Sequence, residues 1–128
     1  MKKLIILFII LGSIIFSFFY FIGSGAAFMY ILDNEDAEWA PRALYQLGNS
    51  FMIVQMPDRA EEIYEEYIDI YPDEEYHELV LYRFFLIAAS NVRNKRAAKE
   101  RGQMYLYRYP DSPRAGKVKE ELALLRSF

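Results

Sequence analysis

Cysteine is absent from this chain of 128 residues, and histidine occurs only once, as His77. Without cysteine the chain cannot be a disulfide-stapled mini-protein or a thiol enzyme, and it cannot hold a cysteine zinc site or a lipid-modified N-terminal cysteine. Disorder is excluded as well, because 54% of the residues are hydrophobic and 17% are aromatic. The length suits one small domain with one additional segment.

Charged side chains are missing from residues 4–32. Within this stretch, residues 4–22 form an apolar run with few polar interruptions. A helix rises about 1.5 Å per residue, so this run is about as long as the ~30 Å hydrocarbon core of a bilayer is thick. We therefore predict an N-terminal transmembrane anchor in residues 1–32 and a separate domain in residues 33–128.

A cleaved secretory signal is the alternative to a retained anchor. Lys2 and Lys3 supply the basic start of such a signal, and residues 24–26 supply a small-residue cleavage site before Ala27. The apolar run is longer than the usual signal core of roughly 7 to 15 residues, and it resumes at residues 28–32. These two features favour retention.

The charges beside the apolar run predict its orientation. Lys2 and Lys3 precede the run, whereas residues 33–36 are mostly acidic and the nearest downstream cation is Arg42. Positive charge flanks the cytoplasmic end of a membrane helix. We therefore expect a single-pass protein with a cytoplasmic N-terminus and a C-terminal domain outside the cytoplasm.

Small residues in the N-terminal segment occur in pairs four residues apart, Ser13 with Ser17 and Gly23 with Ala27. On a continuous helix each pair would share one face and let another transmembrane helix approach closely. The alternative is the ordinary composition of a membrane helix, in which glycine and serine are common. These four residues are the candidate membrane helix contacts.

The remainder of the chain has helical apolar spacing and no sustained strand alternation, which predicts an all-α fold. Pro57 is expected to open a helix, and Pro72 is expected to end that helix at Tyr71. Ser112 and Pro113 suit the N-cap and first residue of the last helix. The predicted helices are 37–54, 57–70, 74–91, 95–109 and 112–126.

An internal repeat relates these helices. Residues 60–72 align with residues 98–110 without a gap at an offset of 38, and residues 44–45 align with 81–82 at an offset of 37. One residue is therefore inserted in the second hairpin, near residues 91–95. Because two hairpins are few for a solenoid, we expect the last helix to cap the open end and a partner to cover the rest.

The repeated residues resemble the tetratricopeptide repeat (TPR) family. The family signature falls in the first repeat on Leu44, Leu47, Gly48, Phe51, Ala60, Tyr64 and Pro72. Tyr82, Phe85, Ala89, Ala98 and Pro110 hold the corresponding positions of the second repeat, where Leu86 replaces the glycine and Gly102 replaces the aromatic residue. The resemblance implies a short solenoid of helical hairpins in which the signature residues serve packing and the concave groove binds protein partners.

A narrower resemblance concerns residues 43–48, which read ALYQLG, and residues 109–115, which read YPDSPRA. They are similar to repeats of the outer-membrane assembly lipoprotein of the β-barrel machine and of the periplasmic coordinator of the Tol-Pal system. This chain differs from the lipoprotein in having no cysteine to acylate. A single span before such repeats is also similar to the ancillary subunit of the bacterial protein translocon, whose tail is longer.

Side chains suited to catalysis or metal binding are few. His77 has neither a nucleophile nor an orienting partner at a suitable spacing, so we expect a solvated or capping histidine and no enzyme. Residues 69–78 hold five acidic side chains but lack the spacing and central glycine of a calcium loop. We therefore expect a solvated acidic face, with no cofactor and no metal.

Nucleic acid binding has a basic run in its favour, because residues 93–101 hold five basic side chains. The tyrosines that follow, Tyr105, Tyr107 and Tyr109, would spread over different faces of a helix and would not form one stacking stripe. The expected compartment also contains no nucleic acid. We therefore expect no nucleic acid partner.

The aromatic side chains fall into two groups. Tyr64, Tyr67, Phe84 and Phe85 stand at repeat positions, where a hydrophobic core is the simplest explanation. Tyrosines off those positions are candidates for anchors in a partner groove, because tyrosine is enriched at interfaces. The candidate groove residues are Tyr45, Tyr76 and Tyr107.

Charge is divided unequally along residues 33–128, the tail of the chain. Residues 33–78 hold 14 acidic and 2 basic side chains, and residues 79–128 hold 4 acidic and 11 basic ones. The two sets either pair within one molecule or attract copies head-to-tail into rings or filaments.

The function we expect is a membrane-anchored scaffold that mediates protein–protein interaction in a bacterial envelope complex. The alternatives are a self-assembling structural protein and a small accessory subunit held mainly through its membrane helix.

Overall fold

The computed structural model describes residues 1–91 and 94–126, and in this part of the chain it contains seven helices and no strand. The all-α prediction is confirmed. The chain divides into two compact units, Met1–Ala40 and Pro41–Phe128. The helices are α1 (Lys2–Gly23), α2 (Ala26–Asp33), α3 (Ala40–Ile53), α4 (Pro57–Ile70), α5 (His77–Ala89), α6 (Lys95–Arg108) and α7 (Ala115–Arg126).

Helix α1 is long and apolar enough to cross a membrane, with 22 residues, a mean hydropathy of 2.8 and no buried residue. It ends before Gly25, whose φ of 84° lies in the left-handed region that glycine adopts without strain. The prediction that Gly23 and Ala27 share one helix face is therefore wrong, because Gly25 interrupts the helix between them. Ser13 and Ser17 lie four residues apart on α1, and both are exposed.

The turns before α3, α5 and α7 share a pair of backbone hydrogen bonds, and the same pair occurs between Ala88, Asn91 and Asn94 before α6. In residues 71–77, the N–H of Glu74 donates to the carbonyl of Tyr71 (3.4 Å), and the N–H of His77 donates to the carbonyl of Glu74 (3.1 Å). Residues 109–115 repeat both bonds (3.2 and 3.0 Å), as do residues 34–40 (2.9 and 3.0 Å). The repeat in the sequence is therefore also a repeat of local backbone structure.

These turns correct three predicted helix starts. Helices α3, α5 and α7 begin three residues later than residues 37, 74 and 112. Ser112 is not an N-cap and Pro113 is not a first helical residue, because both lie in the turn before α7, where Ser112 Oγ accepts the N–H of Arg114 (3.2 Å). Helix α4 begins at Pro57 and is capped by Tyr71, as predicted.

The register between α3 and α5 is 37 residues along the whole helix. Their starts differ by 37, and the same offset aligns their buried positions. The prediction that Leu86 replaces Gly48 and Ala89 replaces Phe51 is therefore wrong. The longer connection between α5 and α6 takes up the inserted residue, so α5 keeps its register. The buried residues Leu44, Leu47, Gly48 and Phe51 correspond to Leu81, Phe84, Phe85 and Ala88.

Helices of the tail unit contact their neighbours in chain order. Helix α5 contacts α4, α6 and α7, and α6 also contacts α7. Between α3 and α4, a Cβ built on Gly48 would lie 2.5 Å from Cε1 of Tyr64, so the two helices approach as closely as glycine allows. One buried cluster joins α5, α6 and α7 through Leu81, Phe85, Ala88, Ala98, Tyr105, Ala115, Val118 and Leu122.

Candidate functional site

A cleft of about 500 Å³ lies between α3 and α5. Residues three and four apart share a helix face, which aligns Gln46, Asn49 and Ile53 on α3. Arg83 and Leu86 are likewise three apart on α5. The cleft therefore combines apolar side chains with amides and one guanidinium. It is lined by Gln46, Asn49, Met52, Ile53, Arg83 and Leu86.

Arg83 is held in this cleft by polar and aromatic neighbours. Its Nη1 donates to Oδ1 of Asn49, and the hydroxyl of Tyr64 donates to the same oxygen (2.6 Å). The guanidinium carbon lies 5.4 Å from the centre of the Tyr45 ring. Among residues 1–91 and 94–126, no carboxylate lies within ion-pair distance of Arg83. The cleft therefore offers a cation to an anionic group of a partner.

The three tyrosines predicted for a partner groove do not gather. Tyr45 is buried and stacks on Tyr76, with ring centres 4.4 Å apart and planes 8° from parallel. Tyr107 is 90% exposed on α6. None of the three lines the cleft, although Tyr45 supports it through Arg83. Their role as partner anchors stays a prediction.

Sequence reasoning missed Gln46, Asn49 and Arg83. Gln46 and Asn49 lie on α3, more than thirty residues before Arg83 on α5. One signal for Arg83 was present. It is the only charged residue in the stretch 79–92 and therefore stands alone in an apolar helix. A charge in such a position requires a polar partner or a functional role.

Ion pairs join the acidic and basic halves of the tail. Arg101 pairs with Glu61 (3.0 Å), Arg108 pairs with Asp73 (3.1 Å), and Arg114 pairs with Glu78 (2.9 Å). These contacts are the internal pairing that was one of the two explanations for the uneven charge. Self-association through the two ends stays a prediction.

Glu78 organises the junction of α5, α6 and α7. Its Oε1 is hydrogen-bonded to the hydroxyl of Tyr105 and accepts from Ser112 Oγ (2.6 Å), and its Oε2 accepts from Arg114 (2.9 Å). Burial by itself would raise the pKa of Glu78, but the hydrogen bonds from Ser112 and Tyr105 and the charge of Arg114 outweigh it and lower the pKa below its usual value.

His77 is buried, with 4% of its surface exposed, and the prediction of a solvated histidine is wrong. It is the first residue of α5, and its Nδ1 lies 2.5 Å from the hydroxyl oxygen of Tyr109. Burial lowers its pKa, and the positive charge of Arg108 adds to that effect. The turn that precedes α5 directs this side chain inward.

The remaining acidic and basic residues considered for metal or nucleic acid binding have different surroundings. In the part of the chain that the structure describes, no group of three or more His, Asp or Glu side chains is placed to hold a metal. Arg93, part of the predicted basic run, lies outside the described residues. Arg96 pairs with Glu100 (3.2 Å) on the same helix. Tyr105 is buried whereas Tyr107 is exposed, so the two do not form a stacking surface.

Comparison with known proteins finds no family model, no curated protein and no solved structure that matches this chain. We therefore judge the candidate site from the geometry of this chain alone.

Proposed function

We propose that this chain is a membrane-anchored, TPR-like scaffold of a bacterial envelope complex that binds a partner protein in the cleft between α3 and α5. The proposal has three parts: a retained membrane helix, a helical repeat domain outside the cytoplasm, and a recognition site on that domain. No catalytic step is assigned to it.

The anchor is supported by α1, a helix of 22 residues in which the uncharged run 4–22 extends about 29 Å at 1.5 Å per residue. Lys2 and Lys3 at one end and acidic residues 33–38 beyond the other favour a cytoplasmic N-terminus. The intact mass of the native protein tests retention. A mass near 15.1 kDa is expected, and a mass short of the first 26 residues would contradict a retained anchor.

The TPR-like arrangement is supported by the contact of Gly48 with Tyr64 and by the turn that recurs after α2, α4 and α6. The TPR signature has a glycine in the first helix of a hairpin and an aromatic residue in the second. The contacts of α5 with α4, α6 and α7, and of α6 with α7, are those expected of a stacked repeat. A recognition surface on the first helices of the hairpins follows from that arrangement.

The observation that carries the proposal is Arg83, positioned by Asn49 and Tyr45 at a cleft of mixed apolar and polar lining, with no carboxylate partner among the described residues. A partner segment with one acidic group and a few apolar side chains would complete this site. Arginine and well-packed apolar anchors supply most of the affinity at protein interfaces. The ion pair would also select against basic segments.

Site-specific photocrosslinking in native membranes tests the cleft. A photoreactive amino acid at Ile53, which is 81% exposed at the cleft edge, is expected to give a discrete adduct with one protein. The same group at Lys119, exposed on α7, is the matched control and is expected to give none. Arg83→Glu should abolish the Ile53 adduct because it reverses the charge of the cleft. Equal adducts from both positions, or an adduct insensitive to Arg83→Glu, would contradict recognition by the cleft.

A further inference from the structure

Residues 26–39 directly follow the candidate membrane helix and carry a stacked pair of aromatic rings. Tyr30 on α2 and Trp39 in the turn after it have ring centres 5.9 Å apart and planes 14° from parallel. The turn is fixed to α2, because Nδ2 of Asn34 donates to the carbonyl of Tyr30 (2.8 Å). The two rings therefore form one rigid aromatic surface.

This aromatic surface faces outward. Tyr30 is 56% exposed and Trp39 is 45% exposed, and Met29 beside them is exposed as well. Ala27 and Ile31, on another side of α2, are buried. An exposed Tyr–Trp stack with a methionine is a costly surface to leave in water, because aromatic side chains present a large apolar area.

The length of α1 places this surface near the end of the hydrocarbon. A helix of 22 residues spans about 33 Å, slightly more than the ~30 Å hydrocarbon core. Only Ser24 and Gly25 separate α1 from α2. The next residues therefore fall within the polar headgroup layer, which adds several ångströms on each side of the core.

The chemistry of residues 26–39 suits that layer. Tyrosine and tryptophan concentrate at the membrane–water interface, where the ring is shielded and the polar atom stays hydrated. The charged side chains nearby are acidic, Asp33, Glu35, Asp36 and Glu38. They would be repelled by an anionic lipid surface, so a zwitterionic one is the better match.

We propose that residues 26–39 form an interfacial foot, in which the stacked Tyr30 and Trp39 rings seat in the zwitterionic headgroup layer of the outer leaflet next to α1. The foot fixes the depth of α1. It also resists rotation of the segment that leads into the helical tail. This inference rests on the proposed membrane anchor.

Trp39 is the only tryptophan of the chain and therefore reports on this site directly. The full-length protein is reconstituted into phosphatidylcholine vesicles that contain lipids brominated either near the glycerol or near the end of the acyl chain. We expect Trp39 fluorescence to be blue-shifted relative to free indole and quenched several-fold more by the shallow bromines than by the deep ones. Tyr30→Ala should reduce the shallow quenching, because it removes the ring that holds the indole.

A tryptophan elsewhere in the same chain is the matched control. The variant Trp39→Phe/Tyr107→Trp carries its single indole at position 107, where the native tyrosine is 90% exposed. It is expected to be quenched by aqueous acrylamide and to be insensitive to brominated lipid. Flotation of the vesicles measures the anchor separately from the foot.

The outcomes separate the two proposals. A protein that floats with vesicles, but whose Trp39 is quenched by lipid no more than the Tyr107→Trp indole, overturns the foot and leaves the anchor intact. A Trp39 shielded from both lipid and acrylamide indicates a protein contact and also overturns the foot. A protein that fails to float overturns the anchor.

Discussion

Each of the two helical hairpins, α3–α4 and α5–α6, buries a tyrosine at the same position of the repeat. The two tyrosine hydroxyls differ in their hydrogen bonds. Tyr67 and Tyr105 correspond at an offset of 38, and both are fully buried. The hydroxyl of Tyr105 is hydrogen-bonded to Glu78 and to Ser112, whereas that of Tyr67 makes no hydrogen bond of normal geometry among the described residues and has only a weak polar contact with the backbone of Tyr76. Pro41 stands where Glu78 stands in the second hairpin. Only the second hairpin therefore has a complete polar junction.

Glycine also occupies different helices of the two hairpins. Gly48 on α3 receives the ring of Tyr64 from α4. In the second hairpin Phe85 stands at the position of Gly48 and Gly102 stands at the position of Tyr64. Gly102 is covered by Leu122 of α7. The first hairpin is therefore closed by its own residues, and the second is closed by the helix that follows it.

Among the substitutions that test this difference, Gly48→Ala is expected to cause the largest loss of stability. The added Cβ would lie 2.5 Å from Tyr64, whose ring is fully buried and cannot move aside. Overpacking of this kind costs about 2 to 3 kcal/mol of unfolding free energy. Urea unfolding of the full chain in detergent micelles, followed by far-ultraviolet circular dichroism, measures the loss.

Gly102→Ala is the control for that substitution. Its Cβ would meet Cδ2 of Leu122 at 2.8 Å, and this is the end of a flexible side chain. The higher helix propensity of alanine, worth about 0.5–1 kcal/mol, offsets the crowding. The net change is expected to stay within about 1 kcal/mol. Equal losses for the two glycines would contradict the view that the hairpins close differently.

Tyr105→Phe is expected to cost about 1 to 2 kcal/mol, because it removes a hydrogen bond to the carboxylate of Glu78. A double-mutant cycle with Glu78→Gln checks the assignment. The two changes should be less than additive, since both remove the same contact. Strict additivity would mean that Tyr105 is stabilised by something other than Glu78.

Tyr67→Phe is expected to have the opposite sign. The substitution removes a buried hydroxyl that makes no hydrogen bond of normal geometry in the described part of the chain, so stability should stay level or rise by about 1 kcal/mol. Tyr64→Phe, on the same helix, is the matched control, because it loses the 2.6 Å hydrogen bond to Asn49 and should destabilise the protein. A loss for Tyr67→Phe as large as that for Tyr64→Phe would remove the distinction between the two hairpins.

Sequence reasoning reached the helices and the repeat because both depend on local signals. Pro57 and Tyr71–Pro72 set the bounds of α4, and apolar spacing identified the buried faces. The starts of α3, α5 and α7 were missed because residues that suit a helix N-terminus, such as Ser112 and Pro113, belong instead to the turn that precedes the helix.

The cleft was beyond sequence reasoning for a different reason. Asn49 and Arg83 lie on different helices, and the predicted offset of 37 between α3 and α5 does not tell which side chains of the two helices meet. The burial of His77 was missed for the same reason, because a helix that begins at residue 74 would place that side chain elsewhere. Both errors concern helix register, which is determined by packing between helices and not by local sequence.

His77→Ala gives the smallest expected effect, visible as a change in pH dependence. Burial and the charge of Arg108 lower the pKa of His77, while Asp73 opposes them, so the unfolded chain binds the proton more tightly than the folded chain. Stability should therefore fall as the pH drops below about 6.5, the value for an unperturbed histidine.

Alanine is the residue that starts both α3 and α7, as Ala40 and Ala115, so His77→Ala restores the pattern of the repeat. Thermal unfolding midpoints measured between about pH 5.5 and pH 7.5 bracket the ordinary histidine pKa. They also stay above the range in which Glu78, with its lowered pKa, takes up a proton. The midpoint should decline over this range in the parent chain and stay nearly flat in His77→Ala. Parallel declines would place the pH dependence elsewhere and would show that the burial of His77 does not control it.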